Sequence, residues 1–186
     1  NRIGASAKYH KQLREIDFNQ QFLVAYLIDL DNFKTINDLF DHHIGDQILI
    51  TMSRRLAALS HQGGIVSRLA GDEFMLIMLV DNGFDAEAFA TSIIVSLRQP
   101  HNVLGTEAEV TTSIGITLVT NGQLSFIDVC KQADVAMHHA KQSGKNKYHL
   151  HSAELERKHM RNLNIVGDLD SALSNNLLDV CYQPKI

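Results

Sequence analysis

Two uninterrupted apolar runs dominate the sequence, and each meets carboxylates at one end. Phe22-Leu23-Val24-Ala25-Tyr26-Leu27-Ile28 stops at Asp29, and Phe74-Met75-Leu76-Ile77-Met78-Leu79-Val80 starts directly after Asp72-Glu73. A strand with one wet face alternates apolar and polar residues, so a run without alternation predicts a strand buried on both faces. Such strands need helices above and below their sheet. Gly64-Ile65-Val66-Ser67-Arg68-Leu69 precedes the second run across Ala70-Gly71, which predicts a tight hairpin with its tip near residue 71. Helical spacing fills the intervals. It predicts a short amphipathic helix over 2–16, another over 33–40, and a longer one from Gly45 to Leu59 with Ile48, Leu49, Met52, Leu56 and Leu59 turned inward. A helix over 85–98 and a strand from Val110 to Val119 follow. Ser125 caps a helix running to Gln142 and ended near Gly144, and Lys147 to Leu150 make a last short strand. Strand–helix alternation around one hairpin gives an α/β chain, an α+β sandwich whose central sheet is mainly antiparallel and flanked by helices.

The bulk properties remove several function classes. The chain has 186 residues, 45% hydrophobic and 20% charged, enough for one core and an appendage. Its formal net charge is -4 and its cations form no stripe, which argues against nucleic acid as a partner. Both apolar runs fall far short of the ~20 residues a membrane helix needs, so no membrane segment is expected. Cys130 and Cys181 lack CxxC spacing, which disfavours a disulfide framework and fits a cytoplasmic location. From about residue 152 the character changes. Residues 153–175 place Leu155, Met160, Leu163, Val166, Leu169 and Leu173 at helix-like spacing among many charges, and 177–186 read as a strand without a partner. The expected division is a main domain over 1–150 and a connecting helix with one strand over 151–186.

Asp29 and Asp31 close the first run, and Asp72 stands at the hairpin tip. If the two strands are neighbours, Asp29 and Asp72 face each other across the sheet, and paired carboxylates invite a divalent cation. Mg²⁺, held by one or two carboxylates and by substrate phosphates, suits that set. The competing reading is structural: Asp29 and Asp31 cap the next helix, and Gly71-Asp72 only make a turn. Likewise Asn37 fits a helix C-cap and Gly45-Asp46 a helix start. His149 and His151 share a strand face, a weak metal signal without acidic or cysteine company, and His42 is expected to be structural.

Three segments, LIDLDNFKTINDLFDHHIGDQIL (27–49), AGDEF (70–74) and DVAMHHAKQSGKNKY (134–148), resemble the GGDEF family, the diguanylate cyclases, in order and spacing. The resemblance starts at Asn1-Arg2 and runs to about residue 150. It implies the nucleotidyl-cyclase palm-like fold and condensation of two GTP molecules into cyclic di-GMP. It also implies Mg²⁺ or Mn²⁺ on Asp29, the Leu30 carbonyl and Asp72, with Glu73 close to the attacking 3′-hydroxyl. Asn32, Phe33 and Lys34 then meet the phosphates through their backbone, and Gly71 belongs to the same GTP site. Asn37 and Asp46 read guanine, and Lys141 and Lys145 meet the triphosphate. Catalysis in this family needs a homodimer, because each protomer holds one GTP.

The chain departs from the family pattern in three places. Ala70 replaces the first glycine of the signature; with a positive φ it would carry roughly 1–2 kcal/mol of strain, which implies slow turnover. Asp41 replaces a glycine. His61-Gln62-Gly63-Gly64 stand where the family places the RxxD of its product-inhibition site. The stretch LDSALSNNLLDVCYQPKI (169–186) resembles the entry to an EAL phosphodiesterase domain, which implies that the chain is a piece of a longer protein carrying an EAL domain in cis. Beside the cyclase stands a second expectation, a non-catalytic GTP-binding module that regulates that phosphodiesterase.

Overall fold

A computed structural model of the chain describes residues 1–40, 42–60, 63–103, 106–175 and 177. Asp41, His61 and Gln62 lie outside the described residues, as do residues 178–186 of the strand expected at the end. The chain divides into two units, Asn1–Ser152 and Ala153–Ile186. In the second, the helix α6 (Ala153–Ser174) exposes Met160, Val166, Leu169 and Leu173.

The first unit is built on a five-stranded sheet of order β2-β3-β1-β6-β7. The first apolar run forms its middle strand, β1 (Gln21–Leu30). The hairpin supplies β2 (Ile65–Ala70) and β3 (Glu73–Asp81), and β6 (Thr112–Val119) and β7 (Tyr148–Leu150) complete the other side. β1 pairs antiparallel with both β3 and β6, and only β7 joins parallel, beside β6. The lack of alternation in β1 has the expected cause. Val24, Tyr26, Ile28 and Leu30 belong to one core and Leu23, Ala25 and Leu27 to the other. In β3, Phe74, Leu76 and Met78 face the first core and Met75 and Ile77 the second.

Helices α2 (Phe33–Phe40), α3 (His42–Leu59) and α4 (Ala86–Arg98) cover the first face, while α1 (Arg2–Glu15) and α5 (Phe126–Gln142) cover the second. α5 begins at a capping box, in which Ser125 Oγ accepts from the Asp128 amide at 3.2 Å and Asp128 Oδ2 accepts from the Ser125 amide at 3.3 Å. Its approach to β6 is set by Gly115. A Cβ there would run into the Ala133 carbonyl oxygen and the Met137 amide.

Several local expectations shift. α3 starts at His42, so Asp46 lies inside a helix instead of opening one, and Asn37 lies inside α2 instead of capping it. β6 begins at Thr112, two residues later than expected. The small hairpin β4 (His101–Val103) and β5 (Thr106–Ala108) has no counterpart in the sequence reading. Ala70 escapes the strain expected of it, because the positive φ at the hairpin tip falls on Gly71 (+47°) and non-glycine positive φ is confined to Asn32, Lys145 and Asn146 among the described residues.

Gly115→Ala is expected to destabilise the domain by roughly 1–3 kcal/mol through overpacking, seen as a lower urea midpoint. Gly83, with open space where a methyl would stand and no positive φ, is the control: Gly83→Ala should leave the stability within about 0.5 kcal/mol of wild type.

Candidate active site

The ends of β1, β3 and β6 meet at one edge of the sheet. Asp29 stands opposite Glu73 on one side and Ser113 on the other. The expected partner, Asp72, lies one residue further out, in the two-residue turn, because the ladder closes at Glu73. Asp29 is buried and its Oδ2 pairs with Lys141 Nζ of α5 at 2.8 Å. Burial raises its carboxyl from 3.8 to about 6, against the pull of Lys141 and with a further push from Asp72 and Glu73. Glu73 is also raised, by burial first and then by Asp134 and Asp72, with Lys141 and Arg2 opposing. Three carboxylates thus gather at this edge.

Asp31 is not among the groups left to hold a ligand. Its carboxylate is buried and accepts from Thr111 Oγ1 at 2.8 Å, Ser113 Oγ at 2.7 Å and the Asn146 amide at 3.0 Å. Its own amide donates to the Thr111 carbonyl at 2.9 Å. It ties the end of β1 to the start of β6 and to the loop after α5; it does not cap α2. The three non-glycine residues with positive φ among the described residues, Asn32 (58°), Lys145 (60°) and Asn146 (48°), all lie at this knot. Lys145 Nζ donates to Asn32 Oδ1 at 2.7 Å, which sets a cation at the N-terminal end of α2. Backbone held this far from its preferred regions persists only where surrounding bonds enforce it, and such positions cluster at functional sites.

On the α2–α3 side of the hairpin a cleft of about 440 Å³ opens. It is lined by Phe33, Lys34 and Asn37 of α2, by His42 and Asp46 of α3, and by Arg68, Gly71 and Asp72 of the hairpin. Gly45 lets α3 close on α2, since a Cβ there would strike the Asn37 amide group. His42, expected to be structural, is exposed on the cleft wall. Arg68 is a site residue that the sequence reading does not include; its Nε donates to the Gly71 carbonyl at 2.7 Å and braces the turn. Its place two residues before Ala70 is its one sequence signal.

A smaller pocket of about 250 Å³ lies behind the hairpin, where Glu73 and Ala70 meet Arg2, Cys130 and Asp134. The hairpin tip therefore separates two spaces. A β-bulge at Leu69, where Arg68 pairs with Phe74 and Ala70 with Glu73, sharpens this bend.

Of the residues named from sequence, Phe33, Lys34, Asn37, Asp46, Gly71 and Asp72 share the cleft, Asn32 and Lys145 meet at its α2 end, and Asp29, Glu73 and Lys141 cluster on the α5 side. His149 stacks edge-on against His139 with ring centroids 4.4 Å apart, and among the described residues no group of three or more His, Cys, Asp or Glu is arranged as a metal cage. A complete cage is not what Mg²⁺ requires, since it keeps waters and uses one or two carboxylates beside phosphates. Asp29 is raised first by its burial, with Asp72 and Glu73 adding to it against Lys141, and a carboxylate taken out of water beside other oxygen donors fits such an ion.

The model of the family described as "Diguanylate cyclase, GGDEF domain" matches residues 1–147. The chain belongs to the GGDEF family. A curated relative, the bifunctional diguanylate cyclase/cyclic di-GMP phosphodiesterase MucR of Pseudomonas aeruginosa, is 33% identical over 168 residues, 90% of this chain and 24% of the relative. The cyclic di-GMP phosphodiesterase PdeR of Escherichia coli is 32% identical over 168 residues, 90% of this chain and 25% of that protein. The chain thus spans about a quarter of these relatives' length. Among solved structures, the GGDEF domain of YfiN from Pseudomonas aeruginosa superposes with a TM-score of 0.74 at 27% identity, covering 83% of this chain and 91% of that one. The GGDEF fold is the mixed α/β sandwich described above. No helix among the described residues is long and apolar enough to cross a membrane.

The raised Asp29 carries a pH signature. A carboxyl whose folded pKa exceeds its unfolded value binds its proton more tightly when folded, so its contribution to stability falls as pH rises from 3.8 to about 6. Glu73 adds a shift of the same sign. Urea denaturation of the metal-free GGDEF domain should show this decline, and Asp29→Asn should flatten it. Equal slopes in that window would refute the raised carboxyl.

Proposed function

We propose that this GGDEF domain is a diguanylate cyclase, condensing two GTP molecules into cyclic di-GMP with release of two pyrophosphates. The observation that carries the reading is the cleft that brings Asn37 and Asp46 within one space of Gly71 and Asp72. Asp46 accepts from guanine N1–H and the exocyclic amine, a pair of donors adenine lacks, and Asn37 meets the other edge. Leaving those groups unpaired against the wrong base discriminates strongly. The backbone amides of Asn32, Phe33 and Lys34 at the start of α2, with Lys145 beside them, hold the β- and γ-phosphates. Lys141 contributes a second cation to the triphosphate.

Asp29, Asp72 and the Leu30 carbonyl would hold Mg²⁺ or Mn²⁺. When bound, the ion lowers the pKa of the attacking 3′-hydroxyl and offsets charge growing on the phosphates. Glu73, raised by burial first and then by its acidic neighbours, is a stronger base than a free carboxylate and would take the hydroxyl proton. Each protomer presents one GTP, so bond formation needs two sites face to face. Relatives named as phosphodiesterases, PdeR and the Pseudomonas aeruginosa protein NbdA, favour one further reading: a GTP-binding module that regulates an EAL domain in cis.

Incubation with GTP and Mg²⁺, with products resolved by chromatography, decides between them. The cyclase yields cyclic di-GMP, at a rate rising faster than linearly with protein concentration while the chain is mostly monomeric. Asp29→Ala and Asp72→Ala should each abolish turnover with circular dichroism unchanged. GTP bound tightly without product would favour the regulatory module, and equal affinity for ATP would remove Asn37 and Asp46 from base reading.

Ala70→Gly should change the rate by no more than about twofold, since no strain is relieved at that position. Gly63-Gly64 offer no side chain to a bound product, so cyclic di-GMP is expected not to inhibit at the family's usual site. Tight product binding by the domain in a calorimetric titration would contradict this.

A further inference from the structure

Lys141 touches Asp29, and the contact has a consequence for how the site fills. Its Nζ sits 2.8 Å from Asp29 Oδ2, with the lysine side chain 33% exposed and the aspartate side chain 7%. It is the only salt bridge among the described residues that reaches this edge. The lysine extends from the last turn of α5, where the helix dipole favours a cation, and that helix packs closely on β6 where Ala133 meets Gly115. Four methylenes leave the ammonium free to swing while its backbone stays in place.

We propose that Lys141 is a resident counter-ion that competes with the divalent ion for Asp29 and is handed over to the triphosphate when ion and nucleotide arrive together. The inference rests on the reading of Asp29 as a metal ligand. The ammonium occupies the carboxylate oxygen that faces α5, so a divalent ion binding without nucleotide displaces that cation and offers it no new anion. With GTP present the phosphates accept Lys141, and the ion meets a vacated carboxylate. Nucleotide then strengthens metal binding by more than its own ligands supply, and linkage makes the effect reciprocal. The same device keeps Asp29 paired between turnovers, when an unpaired buried carboxylate would be costly.

Calorimetric titration of Mn²⁺ without nucleotide tests this on wild type, Lys141→Met and Asp29→Asn. Methionine keeps the stem and removes the charge. Lys141→Met should bind Mn²⁺ about fivefold more tightly than wild type, the scale of a partly exposed ion pair. Asp29→Asn should lose most Mn²⁺ binding. Unchanged or weaker binding by Lys141→Met, alongside loss in Asp29→Asn, overturns the counter-ion role and leaves the metal site standing. Wild-type binding by Asp29→Asn overturns the metal ligand itself, and the exchange with it. Should Lys141→Met fail to fold, the ¹³Cε resonance of Lys141 in the native protein gives the same answer. It should shift on saturation with Mg²⁺ alone, and a resonance that stays put while Mg²⁺ binds overturns the exchange.

Discussion

The buried carboxylate of Asp31 is the contact on which the rest of the site depends. It sits at the point where β1 has run out of ladder, and it collects donors from Thr111, Ser113 and Asn146. An aspartate left buried without them would carry a large desolvation penalty. Satisfied, it locks three segments that are far apart in sequence. Through Asn146 it fixes the loop after α5, where Lys145 and Asn146 are both left-handed, and that loop delivers Lys145 to Asn32. The aspartate nearest the metal motif in sequence therefore acts on the site by holding its frame.

Around that frame the charges are arranged to stay unequal. Asp29 and Glu73 face the α5 side with Lys141 as the near cation, while Arg2 and Asp134 act on Glu73 from behind. The direction of both carboxyl shifts says that burial and mutual repulsion outweigh the lysine. Such an edge gains from an incoming cation without being filled by the protein's own side chains, which is the condition a site for a divalent ion with phosphates has to meet.

The central strand, the hairpin and the capped α5 are legible in the sequence because each is written in consecutive residues. A strand buried on both faces has a distinctive run, and Ser125 with Asp128 marks its helix within one turn. β4 and β5 are not legible, since three-residue strands leave no period to read. The start of α3 is expected three residues late because its inward apolar spacing begins only at Ile48. For the site, the motif residues are visible but their directions are not. Asp29 and Asp31 look equivalent in sequence; only the ladder with β6 and the loop from α5 make one a clamp and leave the other facing Lys141. The expectation of strain at Ala70 fails for a related reason, as the turn places its one positive φ a residue later.

The adjacency of Asp72 and Glu73 follows from the same ladder. Asp72 is the last residue of the turn and lines the cleft with Asn37 and Asp46, whereas Glu73 is the first residue of β3 and lines the pocket behind the hairpin. Glu73 shares its side of the sheet with Met75 and Ile77, and Phe74 has to point the other way into the first core. A one-residue slip would turn every one of these side chains to the wrong face. The core therefore sets where Glu73 points, and a two-residue turn with a bulge at Leu69 leaves Asp72 the opposite side. Two neighbouring carboxylates serve both faces of one sheet edge because the apolar residues after them admit no other register.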